Sequence, residues 1–116
     1  MKKVAIVRCL KTATSCSGAG CLRSANEKTG AFANYDEPVQ VVAFCECNGC
    51  GDFALNNPEG MRKKIERIKA LTPDAVHLSN CTKKKNEAGE KVQCPVIAEF
   101  AKEWREAGLT VVEGTH

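Results

Sequence analysis

Short, continuous apolar runs alternate with helix-period stripes along this chain, and that alternation restricts the fold more than any other feature. Residues 3–7, 39–44, 75–78 and 109–112 are β-rich. Pro38 opens the second run, where proline suits the first residue of a strand. Runs this continuous fit strands buried on both faces, as in a parallel sheet. Between them, Met61, Ile65, Ile68 and Leu71 recur at four- and three-residue steps, with Arg62, Lys63, Lys64, Glu66 and Arg67 turned outward. Asn57 and Pro58 supply an N-cap and a first-turn proline, and Thr72-Pro73 stops that helix. A second helix spans about residues 95–107, with Ile97, Phe100, Ala101 and Trp104 on one face and Gly108 as its end. A weaker helix over residues 20–29 is marked only by Leu22 and Ala25. The order β-α-β-α-β-α-β predicts right-handed crossovers and an α/β, three-layer, Rossmann- or flavodoxin-like fold. Its mostly parallel four-stranded sheet is expected in the order 2-1-3-4. The 116 residues suit one domain over positions 1–116.

Composition narrows the function classes. Hydrophobic residues at 43% and charged residues at 27% describe a globular chain. A net charge of +3 is too mild to argue for nucleic acid or a membrane surface. No apolar run approaches the roughly 18 residues that a membrane span needs. Residues 4–7, cut short by Arg8, fall below the roughly 7–15 apolar residues of a secretory signal. The expected location is therefore cytoplasmic, where thiols stay reduced. In that compartment the match of Asn80-Cys81-Thr82 to a glycosylation site carries nothing.

The unusual count is eight cysteines. Cys9 follows the first strand, and Cys16 and Cys21 lie in the segment after it. Cys45, Cys47 and Cys50 close the second strand, Cys81 follows the third, and Cys94 opens the helix at Pro95. His116 follows the fourth strand. In a parallel sheet the C-terminal strand ends share one edge, where such folds bind ligands. None of the cysteines is expected inside a strand or on a helix's apolar stripe. Buried packing, the usual role of a free cysteine, explains such confinement poorly. Thiolates gathered at one edge call for a soft cation, zinc or an iron–sulfur cluster.

Cys47-Asn48-Gly49-Cys50 is a CxxC, able to give two sulfurs to one metal. With Cys9 and Cys81 it would complete four ligands, while Cys16, Cys21, Cys94 and His116 would border that centre or form another. The spacing matches neither a zinc ribbon nor a bacterial ferredoxin. Cys94 at a helix N-terminus would favour its thiolate. His77, inside a strand, reads as a satisfied core histidine. The polar stretch 82–93, with Lys83, Lys84 and Lys85, reads as a solvated loop.

Several segments in order resemble the CGGC-domain family, small cysteine-rich proteins of bacteria and archaea. They are KVAIVRC ending at Cys9, the pair Cys16 and Cys21, the CNGC at 47–50, VHLSNC ending at Cys81, QCP with Cys94, and the terminal GTH with His116. Asn48 replaces the first glycine of the name-giving motif, and asparagine tolerates left-handed backbone. Cys45 is additional to the pattern. The resemblance implies metal binding, suggested for the family as zinc, and brings no activity with it.

Three functions remain open. The first is a cysteine-ligated metal centre, with iron–sulfur favoured over zinc because the sulfurs come from separated loops, acting in electron transfer, sensing or an accessory role with a redox or protein partner. The second is a structural zinc module. The third is a CxxC thiol–disulfide enzyme using Cys47 and Cys50. In thioredoxin-like proteins the CxxC opens a helix; here Gly51-Asp52-Phe53 and a further loop come first, which argues against an enzyme.

Overall fold

The first apolar run becomes strand β1 (Lys2–Arg8), whose last five residues are all buried. It is the centre from which the rest of the computed structural model, covering residues 1–116, is built. A single turn of helix, α1 (Leu10–Ala13), and helix α2 (Ala19–Glu27) lead to β2 (Val39–Glu46). Helix α3 (Pro58–Leu71) returns the chain to β3 (Ala75–Leu78). Two short strands, β4 (Lys83–Lys85) and β5 (Lys91–Gln93), precede α4 (Pro95–Glu106) and the last strand, β6 (Val111–Glu113).

The main sheet has the order β2-β1-β3-β6, and every pairing in it is parallel. This is the expected 2-1-3-4, since β6 is the fourth strand of that sheet. Period-two alternation divides the core. Ala5, Val7, Val76 and Leu78 pack beneath α3 and α4, against Ile65, Ile68, Ile97, Ala101 and Trp104. Val4, Ile6 and Ala75 pack on the other side against Cys21, Ala25 and Phe32. Trp104 fixes the seam between the two helices by donating its indole N–H to the Ile65 carbonyl at 3.3 Å.

Three local expectations are corrected. The stretch 82–93 is an antiparallel hairpin, with Lys84 opposite Val92. Asn86 closes its turn, its Oδ1 accepting from the amides of Ala88 and Glu90. A single apolar residue in the paired strands left no alternation to read. Second, β2 runs to Glu46, which places Cys45 within a strand, packed against the α3/α4 core. Third, Cys21 lies on the buried face of α2. Cys21, one turn before Ala25, completes the stripe that the sequence left weak.

Candidate metal centre

Parallel pairing brings the ends of β1, β2 and β3 together, and an ion pair locks two of them. Arg8 stands opposite Glu46 in register, and the two side chains are paired. The buried guanidinium also donates to the Cys16 carbonyl at 3.0 Å and stacks over Phe44 at 4.5 Å. Arg8 therefore ties strand ends and the following loop together, leaving thiolate charge to other groups. Immediately beyond this clamp come Cys9 and Cys47, and the Cys47 amide donates to the Arg8 carbonyl at 3.0 Å.

Cys9, Cys47, Cys50 and Cys94 line one cavity of about 60 Å³. Lys11, Lys84, Gly49, Phe53, Val96 and Ile97 complete its wall. Each thiol arrives by a different route. Cys9 is the N-cap of α1, and Cys94 is the N-cap of α4, fixed ahead of Pro95. Cys47 is buried at the end of β2, and Cys50 is exposed at the start of the Gly51–Phe53 turn. Gly49 makes that path, with φ +85; a Cβ there would sit 2.1 Å from the Phe53 carbonyl oxygen. The exchanged motif position, Asn48, has no positive φ. Instead its side chain donates to the Asn57 carbonyl at 3.0 Å and accepts from Lys64 at 2.8 Å. The motif survives because its first glycine position needs no glycine, not because asparagine adopts left-handed backbone.

Fixed dipoles and charges surround the sulfurs. The Leu10 amide points at Cys47 Sγ (3.4 Å), the Cys9 amide at Cys81 Sγ (3.3 Å), and Lys84 Nζ at Cys9 Sγ (3.2 Å). Burial opposes ionisation of Cys9, but the amides of Thr12 and Lys11 and the Lys84 ammonium outweigh it, so its thiol sits below the ordinary value. Burial pushes the Cys45 thiol up, as befits a packing residue.

Not all the candidates reach this cavity. Cys81, expected as the fourth ligand, does not line it and instead accepts from the Cys9 amide, while Cys94 takes the lining position. Cys16 is exposed and its Sγ accepts from the Gly18 amide at 3.4 Å. Cys21 Sγ is buried between Ser79 Oγ (3.2 Å) and Thr115 Oγ1 (3.3 Å). His116 packs beside Gly20, its carbonyl held by Asn80. The terminus is pinned there by Thr115, whose carbonyl accepts from the Ala31 amide. Its place is on the α2 side of the sheet. All eight cysteines are free thiols. No three Cys, His, Asp or Glu side chains stand close enough to enclose a metal ion as they are. The lysine contact at Cys9 has no signal in the sequence, because it depends on the β4–β5 hairpin that delivers Lys84.

His77 is fully buried, stacked on Phe32 at 4.1 Å, with Nδ1 2.9 Å from the Gly114 carbonyl and Nε2 2.7 Å from the Tyr35 hydroxyl. It is a satisfied core histidine. No helix is long and apolar enough to cross a membrane.

The CGGC domain family matches residues 3–116. The chain is 35% identical to a protein of Methanocaldococcus jannaschii, Uncharacterized protein MJ0582, over 98% of this chain and 86% of the relative. No solved structure matches.

Proposed function

Starting from the family to which this chain belongs, the CGGC-domain proteins, we propose that it is a metal–thiolate protein whose centre is held by Cys9, Cys47, Cys50 and Cys94. The observation that carries this reading is the meeting of those four thiols in one small cavity. A soft, thiophilic centre fits the donor set, since the cavity wall offers sulfur and no carboxylate or imidazole. Closing the sulfurs onto a centre needs rearrangement, since no three stand close enough as they are; Cys50 sits between two glycines of positive φ, Gly49 and Gly51.

We favour an iron–sulfur cluster over zinc, because three separated segments supply the sulfurs and only one pair comes from a knuckle. When bound, such a cluster supplies one-electron redox chemistry. The chain's own contribution is positioning and charge. The Leu10 amide and the Lys84 ammonium stabilise negative sulfur at Cys47 and Cys9. Phe53, Val96 and Ile97 supply the apolar part of the cavity wall. Cys81 Sγ accepts from the Cys9 amide and steadies that ligand's backbone.

The test is purification without oxygen, followed by a visible spectrum and joint determination of iron, zinc and acid-labile sulfide. Brown protein holding iron and sulfide is expected. Colourless protein with stoichiometric zinc keeps the site and replaces the cluster with a zinc centre. Colourless, metal-free protein with an oxidised Cys47–Cys50 pair would overturn the reading in favour of a thiol enzyme.

A further inference from the structure

The thiol cavity carries two ammonium groups, of which only Lys84 contacts a lining sulfur. Two of its ten lining residues are lysines, Lys11 and Lys84, and none is an aspartate or glutamate. Like most of the chain's cations, neither lysine is paired with a carboxylate, which leaves both charges free to face the cavity. Both are held in place by uncharged or sulfur groups. Lys11 Nζ sits over the Phe53 ring, 5.3 Å from its centroid, and Lys84 Nζ points at Cys9 Sγ. The β4–β5 hairpin that delivers Lys84 is its own two-stranded sheet, outside the main one. Most of the wall is apolar, and a low-dielectric wall strengthens the field of its fixed charges. While its thiols are protonated, such a cavity repels a hydrated divalent cation and attracts an anion.

From this we infer that the cavity receives its metal from an anionic thiolate complex, carried by a small carboxylate-bearing thiol, with Lys11 and Lys84 holding the carrier's carboxylates. The inference rests on the metal–thiolate reading and names the chemical form of what the site takes. Transfer is ligand exchange without oxidation. A metal–sulfur bond to the carrier breaks and one to a cavity cysteine forms. The cysteine's proton leaves with the carrier's sulfur as a free thiol. Repeated at Cys9, Cys47, Cys50 and Cys94, the exchange moves the metal fully onto the chain, and the carrier departs.

Two measurements on the reduced, metal-free full chain test this. The first compares alkylation of the cavity cysteines by iodoacetate, an anion, and iodoacetamide, its neutral analogue, resolved by peptide mass spectrometry at low salt. Both reagents consume thiolate, so their rate ratio isolates selection by charge. The ratio is expected to fall about tenfold from the native chain to the Lys11→Met/Lys84→Met double variant, within the range that focused charge gives. It should be kept by Lys11→Arg/Lys84→Arg, which separates charge from folding. The second follows zinc retained after desalting, supplied as its complex with mercaptosuccinate (anionic) or with cysteamine (cationic). Faster uptake from the anionic complex, lost in the methionine variant, is expected. An unchanged alkylation ratio with equal uptake from both carriers overturns the delivery inference alone. An anion preference with no zinc retained from either carrier overturns the delivery inference, while the metal–thiolate reading stands or falls on the iron, zinc and sulfide determination.

Discussion

His77 and Tyr35 lie on the α2 side of the sheet, away from the thiol cavity, and hold each other in place. His77 is held neutral: burial keeps its imidazole below the ordinary histidine range, against a smaller opposing pull from the Gly114 carbonyl. With Nδ1–H donating to that carbonyl, Nε2 accepts from the Tyr35 hydroxyl. A folded-state pKa below the unfolded value of about 6.5 means this stabilisation is complete above that pH and is lost as pH falls. The melting temperature should therefore drop between about pH 7 and pH 5, and His77→Gln should flatten that slope while lowering stability at pH 7. An unaltered slope in the variant would assign the acid sensitivity elsewhere. Tyr35→Phe, which strands Nε2, should cost about 1–3 kcal/mol by denaturant unfolding at neutral pH. At Gly49, a methyl group would meet the Phe53 carbonyl. Gly49→Ala should cost more than about 1 kcal/mol, because both the positive φ and the contact penalise it. The cysteine positions were legible in the sequence because CxxC spacing and strand ends are local. The burial of Cys21 and Cys45 was not, because it depends on which face of a helix or strand a residue occupies and on what packs opposite.

Among the elements, those with a strong period were readable and the polar one was not. Helix α3 starts at Pro58 and ends at Leu71, as its N-cap, proline and stripe dictate; Asn57 Oδ1 accepts the Gly60 amide at 2.9 Å. The β4–β5 hairpin left no such signal, since its register is set by Asn86 and by hydrogen bonds from Gln93 and Cys94 back to Thr82. The pairing of Arg8 with Glu46 was also hidden, because it requires knowing that β1 and β2 are neighbours in this register. That pair joins the strand ends carrying Cys9 and Cys47. Glu46→Ala leaves a buried guanidinium without its carboxylate and should lower stability by about 1–3 kcal/mol, less than a fully buried pair because Glu46 is partly exposed. Denaturant unfolding measures this, and no change would show that the pair contributes nothing. Trp104→Ala, which empties the α3–α4 seam, should cost about 3–5 kcal/mol.

At the scale of the molecule, topology is what turns scattered cysteines into a site. Parallel strands in the order β2-β1-β3-β6 put the exits of β1, β2 and β3 side by side. The sequence alternation was enough to derive this edge, and with it the neighbourhood of Cys9, Cys47 and Cys81. It was not enough to choose between Cys81 and Cys94 as the fourth lining thiol, which is settled by the hairpin carrying the chain from one to the other. The same topology separates Cys21 and His116 onto the α2 side, where hydroxyl groups and backbone surround them in place of further thiols. The metal content of four single variants, Cys47→Ser, Cys94→Ser, Cys16→Ser and Cys45→Ser, purified together without oxygen, tests the central claim most directly. A centre on the cavity thiols requires metal to be lost in Cys47→Ser and Cys94→Ser and kept near the native amount in Cys16→Ser and Cys45→Ser. Equal metal in all four, or loss in Cys16→Ser with retention in Cys94→Ser, would contradict it.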